Sequence, residues 1–315
     1  MGERANAAQA QDLVKEFDGK RAVDGVSLTV PEGSITGILG PNGAGKTTTI
    51  RMMLGIIDPT SGSRTLLGHH RPLEAAREVG YLPEERGLYP AMPAAEAIAF
   101  MGALRGLPLK EGRRRAIELL EGRGHGDWAK RPIRTLSKGM AQTVQLLGTI
   151  AHRPRLIVLD EPFSGLDALN QEKLEQLIRD QAAAGVTVIF STHVIAHAER
   201  LCERVAIIAE GKVAFEGAVD EARGRLRPIV HLRTRAEGGP WRSAMPADAK
   251  QVGGEWRFEL PEGGPEPLLK ALIDGEAGIE TLSIERPGLH DAFIAIAGES
   301  AAQAMGRPTG EELPQ

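Results

Sequence analysis

The chain has 315 residues, of which 42% are hydrophobic and 25% charged, which is enough apolar content for a packed core and rules out a wholly disordered chain. With 38 basic and 42 acidic side chains the net charge is -4, and the pI is near 6.1, which argues against a strongly basic nucleic-acid binder. Cys202 is the single cysteine, so an intramolecular disulfide and an all-cysteine zinc site are excluded and a reducing compartment fits.

The N-terminal MGERANAAQA lacks the apolar core of a secretory signal and the Ser or Thr at position 6 of a myristoylation motif. No stretch approaches the roughly 18 consecutive apolar residues of a membrane span. Residues 26–30 (VSLTV) alternate as a half-buried strand does, and Pro31 and Gly33 mark a turn. Ile35 to Leu39 predicts a short strand ending in a Gly-rich loop, with a helix from about Lys46. Residues 95–123 read as helical, and the run Arg113 to Arg115 as a solvated helix face. Leu156 to Leu159 and Val186 to Phe190 are short and nearly all apolar, which suits strands buried on both faces of a parallel sheet. Between them Leu174, Leu177 and Ile178 stand at helical spacing. This βαβ order predicts an α/β fold.

Past residue 220 the composition shifts. A basic, β-like RGRLRPIVHLRTR is followed by Gly- and Pro-rich stretches, two further strands at Trp256 to Leu260 and Thr281 to Ile284, and a helix near Leu268 to Ile273. These predict a small α+β domain over 221–298, with 299–315 as a disordered tail. No internal repeat is visible.

Gly40-Pro41-Asn42-Gly43-Ala44-Gly45-Lys46-Thr47 fits the phosphate-loop pattern G-x-x-x-x-G-K-[ST], between a strand and a helix as that motif requires. Its glycines let several N–H groups point at one phosphate, and the helix N-terminus adds partial positive charge. Lys46 is then placed for the β- and γ-phosphates and Thr47 for Mg²⁺. Downstream, LIVL delivers Asp160 and Glu161 at the end of a buried strand, where ligands sit in open α/β sheets. Asp160 is a candidate Mg²⁺ ligand and Glu161 a candidate for orienting or deprotonating water. Capping of the next helix is the alternative reading of that pair.

With these motifs the chain resembles the ATP-binding subunits of ABC transporters over roughly residues 10–220. Leu136-Ser137-Lys138-Gly139-Met140 is similar to the signature LSGGQ, Ser164-Gly165-Leu166-Asp167 to the D-loop, and Ser191-Thr192-His193 to the switch histidine. Gly80-Tyr81-Leu82-Pro83-Glu84 stands at the Q-loop, and Phe17 matches the aromatic that stacks on adenine. The resemblance implies a P-loop NTPase-like α/β domain with a helical subdomain at about 84–150, binding ATP and Mg²⁺. Nucleotide contacts would come from Phe17 and from Gly40 through Thr47 and Thr48. Mg²⁺ would be held by Thr47, Glu84 and Asp160, and Glu161 and His193 would be catalytic. Ser137, Lys138, Gly139 and Met140 of one copy would face the ATP of the other, with Asp167 at the interface.

Two departures stand out: Lys138 replaces a glycine of the signature, and Glu84 replaces the Q-loop glutamine. PEERGLYP and Arg286-Pro-Gly-Leu-His290-Asp291-Ala-Phe293 resemble a bacterial exporter subgroup of sodium-efflux and drug-export type, so the departures do not imply lost activity. His290 and Asp291 themselves read as packing and capping residues. His69-His70 reads as a loop rather than a metal site, Cys202 as core on an apolar helix face, and Trp128, Trp241 and Trp256 as scattered, without a stacking pattern for nucleic acid.

The implied protein is a homodimer, or a heterodimer with a similar subunit. It would work with integral membrane permease subunits, peripheral to the cytoplasmic face of the membrane and without nucleic acid. The competing classes are a soluble ABC-type ATPase in translation or DNA work, and a nucleotide-binding regulator without turnover. One cassette with no heptad run weighs against the first, and intact Lys46, Asp160, Glu161 and His193 against the second. Sodium, a drug or peptide and a lipid-like molecule all stay open as cargo.

Overall fold

The computed structural model describes residues 5–85, 87–236 and 238–305. Strands β1 (Asn6–Phe17) and β2 (Lys20–Pro31) pair antiparallel. Val26, Leu28 and Val30 of β2 are buried while Ser27 is exposed, the period-2 pattern of a half-buried strand. Then come β3 (Ile35–Leu39), buried at every position, and helix α1 (Lys46–Met53). β4 (Ser61–Leu66) pairs with the free edge of β1, giving a three-stranded sheet in the order β2-β1-β4.

β5 (Val79–Leu82) leads into the helices α2 (Ala94–Leu104), α3 (Leu109–Glu121) and α4 (Lys138–Ile150). The sequence predicted one helical stretch over 95–123. The structure breaks it at 105–108, where Pro108 has extended-type backbone angles (φ -55, ψ 132) and precedes α3. Arg113, Arg114 and Arg115 lie on α3, the first two exposed, and pair with Glu96, Glu111 and Glu118.

β6 (Leu156–Leu159), α5 (Ala168–Ala183), β7 (Thr187–Thr192), α6 (Ile195–Leu201), β8 (Arg204–Ala209), β9 (Lys212–Ala218) and the short α7 (Val219–Arg223) follow. Cys202 does not lie on a helix face: it ends α6 in extended backbone, and burial pushes its thiol well above the ordinary range.

The second sheet has the order β5-β6-β7-β3-β8-β9, parallel except for β9. Its register sets Leu39 beside Thr192 and Leu159 beside Phe190. The carboxyl ends of β3, β6 and β7 therefore open on one crevice. A single core joins the two sheets: Leu13, Val26 and Leu28 from one, Ile38, Val158 and Ile189 from the other, Ile50 and Met52 from α1.

The chain divides into two compact units, one holding the described residues up to Val219 and those from Ala297 onward, the other Asp220–Ile296. The smaller unit contains β10 (Ile229–Thr234), β11 (Lys250–Val252), β12 (Glu255–Glu259), α8 (Pro265–Asp274), β13 (Ile279–Glu285) and most of α9 (Leu289–Ala297). Its antiparallel sheet runs β11-β12-β10-β13. Trp241 and Trp256 are not scattered but share its core with Val230, Phe258 and Leu272. Trp128 stacks on His125 in the larger unit, ring centroids 3.7 Å apart. Asp291 accepts the Gly288 N–H at 3.0 Å, a cap at the start of α9, while His290 is exposed. The tail expected from 299 starts instead as α10 (Glu299–Ala304), whose Ala-rich sequence favours helix. Residues 306–315 lie outside the described residues.

Candidate nucleotide site

Gly40 leaves β3 directly beneath β8, where a Cβ would meet the Ile208 carbonyl oxygen at 2.2 Å. Gly45 stands before α1 at φ +101, where a Cβ would come within 2.6 Å of the Ala22 carbonyl oxygen. Both positions need glycine, one for close approach and one for backbone conformation as well. Gly45 offers no side-chain cap, and the first turn of α1 carries no acid. The leading amides of α1 and the partial positive charge of its end are thus available to an anion.

Lys46 Nζ donates to the carbonyls of Gly40 at 2.7 Å and Pro41 at 3.2 Å. It also lies 3.1 Å from Glu161 Oε1. That last contact is one of charge without hydrogen-bond alignment, since Oε1 is buried with no hydrogen-bond partner among the described residues. The other carboxylate oxygen, Oε2, is 2.9 Å from His193 Nδ1. Glu161 has φ +46, a left-handed conformation costing a non-glycine residue about 1–3 kcal/mol. Such strain persists where the surroundings over-determine the backbone.

Asp160 is fully buried. Its Oδ1 accepts hydroxyl protons from Thr47 at 3.0 Å and Ser191 at 2.6 Å, whereas Oδ2 has no hydrogen-bond partner among the described residues. Burial pushes its carboxyl above the ordinary range, and the Ser191 and Thr47 hydroxyls pull partly the other way. A buried, bare carboxylate oxygen next to a threonine hydroxyl matches what a hard cation with oxygen ligands requires. These residues therefore fit Mg²⁺. Glu84 is not part of that constellation: it is exposed, and no hydrogen bond joins it to Thr47 or Asp160 among the described residues. The Tyr81 hydroxyl is pushed up, first by burial and then by the Asp160 charge.

Ser137 and Lys138 are exposed. Ser137 caps α4, its hydroxyl accepting the Met140 N–H at 3.2 Å; Gly139 is buried against Asn170 at the start of α5. Asp167 caps α5 by accepting the Asn170 N–H at 2.9 Å. No hydrogen bond or ion pair among the described residues links Ser137, Lys138, Gly139 or Met140 to Lys46, Asp160 or Glu161. Phe17 ends β1 and is 47% exposed, with Lys15 Nζ 5.2 Å from its ring centroid. Asn42 and Gly43 are exposed, and Thr48 is partly buried on α1. His69 does find a carboxylate, Glu74, at 3.3 Å, but no group of three metal-binding side chains forms among the described residues.

Behind the acids lies a group the motifs do not reveal. Phe163, two residues beyond Glu161, stacks on His197 with centroids 3.9 Å apart. His197 and Arg200 of α6 both contact the buried Glu175 of α5, at 3.1 and 2.6 Å. Burial raises the Glu175 carboxyl, but Arg200 and His197 outweigh it and hold it below the ordinary range. Burial lowers the His197 imidazole. Ser191 was legible only as a neighbour of His193, and its bonds to Asp160 and Glu161 depend on strand register.

This phosphate loop on a mixed sheet defines a P-loop nucleotide-binding protein, and comparison with known proteins narrows the class. The ABC transporter family profile matches residues 23–164. The ABC transporter ATP-binding protein YhaQ of Bacillus subtilis is 33% identical over 91% of this chain and 97% of its own length. The daunorubicin/doxorubicin resistance ATP-binding protein DrrA of Streptomyces peucetius is 32% identical over 97% of both chains. A solved ATP-binding subunit of an ABC transporter shares 30% identity at a TM-score of 0.63, covering 70% of this chain and 92% of that one. A dimeric ATP-binding cassette in a post-hydrolysis state with ADP and phosphate shares 25% identity at a TM-score of 0.60, covering 67% and 98%. The chain belongs to the ABC transporter ATP-binding proteins. It is an ATP-binding, ATP-hydrolysing transporter subunit of ABC ATPase fold, and no helix among its described residues is long and apolar enough to cross a membrane.

Proposed function

We propose that two copies of this subunit, or one copy and a similar subunit, close around two ATP molecules and drive export through separate membrane subunits at the cytoplasmic face. The observation that supports this best is the division of the site. Lys46, Thr47, Asp160, Glu161 and His193 converge on one crevice, while Ser137 and Lys138 stay exposed and apart from it. Lys138 occupies the first helical position of α4, and no acid stands in that turn. A cation is unfavourable against the positive end of a helix, so an arriving phosphate would relieve it. The γ-phosphate bound in the other copy is the occupant assigned here, with Ser137 and Gly139 as further contacts. The dimeric structure neighbour is consistent with this pairing.

In this reading the loop amides from Gly40 to Thr48 and the Lys46 ammonium bind the phosphates, and exposed Phe17 stacks on adenine. The Asp160 carboxylate and Thr47 hydroxyl would hold Mg²⁺, which supplies charge neutralisation at the phosphates. Glu161 takes the proton of the attacking water, and His193 holds the far carboxylate oxygen in place. Asp167 fixes the start of α5 at the dimer interface.

The membrane subunit is assigned to an apolar groove of about 180 Å³ lined by Tyr89, Met92, Phe100, Met101 and Leu104. Tyr89 is 59% and Leu104 70% exposed there. Glu84, at the edge of that segment, would connect partner and nucleotide. DrrA is named for drug resistance, which favours a drug-like cargo. The test is co-purification with the membrane partner from the host, followed by ATP-driven transport in sealed vesicles. Vesicles that transport with Lys46→Ala as well as with the native subunit would refute the reading.

A further inference from the structure

Ser191 is fully buried at the end of β7. It is one step past Phe190, which pairs with Leu159, so the parallel register carries it beside Asp160. Its Oγ is 2.6 Å from Asp160 Oδ1 and 2.9 Å from the Glu161 amide nitrogen. With Asp160 ionised, the direction of both bonds is forced. A backbone N–H can only donate, and a serine hydroxyl has one proton to give. Ser191 therefore accepts from Glu161 and must spend its proton on the Asp160 carboxylate.

Two consequences meet at this atom. Together with Thr47, Ser191 directs both hydroxyl protons to Oδ1 of Asp160, leaving the buried Oδ2 without a hydrogen-bond partner. Its lone pair also holds the amide of Glu161 in the left-handed conformation, φ +46, that brings the carboxylate to Lys46 and His193.

We infer that Ser191 is a positioning residue that ties the two acids together, presenting Asp160 Oδ2 to Mg²⁺ and fixing the Glu161 backbone. This rests on the reading of Asp160 as the Mg²⁺ ligand and of Glu161 as the base. The hydroxyl, rather than the filled space, carries the effect.

The test uses the full chain and four variants: Ser191→Ala, Ser191→Thr, Ser191→Val and Asp160→Asn. Thr and Val fill the same volume and differ by the hydroxyl, so they decide the matter even if the alanine variant fails to fold. Binding of a fluorescent ATP analogue is titrated with Mg²⁺, repeated in EDTA, and set beside kcat and KM. Ser191→Ala and Ser191→Val are expected to raise the half-saturating Mg²⁺ concentration about tenfold and to lower kcat about tenfold. KM at saturating Mg²⁺ and analogue binding in EDTA should stay within about twofold, and Ser191→Thr should keep both Mg²⁺ half-saturation and kcat near the native values. The inference is overturned if Ser191→Thr is as impaired as Ser191→Val, or if Mg²⁺ half-saturation and kcat do not move while only the melting temperature does. Asp160→Asn separates the two claims. If it leaves the Mg²⁺ dependence unchanged, the metal assignment fails and the role of Ser191 with it. If it shifts that dependence while Ser191→Val does not, the role of Ser191 alone is refuted.

Discussion

Lys46 Nζ stands 3.1 Å from Glu161 Oε1, with both side chains under 10% exposed. The acid proposed to activate water is thus the counter-charge of the lysine proposed to bind phosphate. On that reading an incoming phosphate would share Lys46 with the Glu161 carboxylate. Glu161→Gln removes the competing charge with little change of shape. ATP affinity is expected to rise about three- to tenfold, up to about 1.4 kcal/mol, while turnover falls at least about a hundredfold. Size-exclusion chromatography with Mg-ATP should then show a retained dimer. A variant that stays monomeric and fully active would sink both the base assignment and the paired-copy model.

Lys46→Ala has the opposite signature. It removes the cation from the phosphate site and leaves Glu161 as a buried charge without it. ATP affinity measured calorimetrically is expected to drop about a hundredfold, roughly 2.7 kcal/mol, with hydrolysis lost. Native-like binding would mean that the loop is not the phosphate site.

Asp160 gives a pH-dependent stability change of known sign. Burial raises its carboxyl, so the native state holds the proton more tightly than the unfolded chain. That contribution to stability is complete below the ordinary value of 3.8 and is lost as the pH rises through the raised one. At neutral pH the metal-free fold bears the cost of a buried carboxylate. Asp160→Asn should therefore raise the melting temperature at neutral pH in EDTA, and the gain should narrow as the pH falls toward 3.8. A gain independent of pH, or a loss at neutral pH, contradicts the argument.

Glu84 is exposed and apart from the Thr47 and Asp160 contacts. Glu84→Gln is expected to change basal ATPase activity by less than about threefold, because Glu161 remains in place. A larger change should appear only in turnover stimulated by the membrane partner. Abolished basal hydrolysis in Glu84→Gln, with Glu161→Gln still active, would reverse the roles of the two acids.

The candidate site was legible because its chemistry sits in two contiguous strings, Gly40 to Thr47 and Asp160 to Glu161, each following a short, largely apolar strand. What needed three dimensions was not. Ser191 depends on the register of β6 and β7, and the Glu175, His197 and Arg200 group depends on the packing of α5 and α6. β1 is not legible in the sequence because NAAQAQDLVKEF has little intrinsic strand preference; pairing on both edges, with β2 and β4, overrides that. The break at 105–108 is legible in Gly106 and Pro108, both of which interrupt a helix. The helix at 299–304 is obscured only by the Gly- and Pro-containing composition of the tail taken as a whole.

The placement of the three tryptophans decides what light reports on this molecule. Two of them, Trp241 at 1% and Trp256 at 7% exposure, fill the core of the smaller unit, the second with the Arg242 guanidinium 4.5 Å above its ring. The third, Trp128, lies against the His125 imidazole. Two of the three tryptophan emitters therefore sit in the unit that holds no phosphate loop. A denaturation trace followed by tryptophan emission would weight the smaller unit, with Trp128 as the reporter of the ATPase unit and its quenching changing as His125 gains a proton.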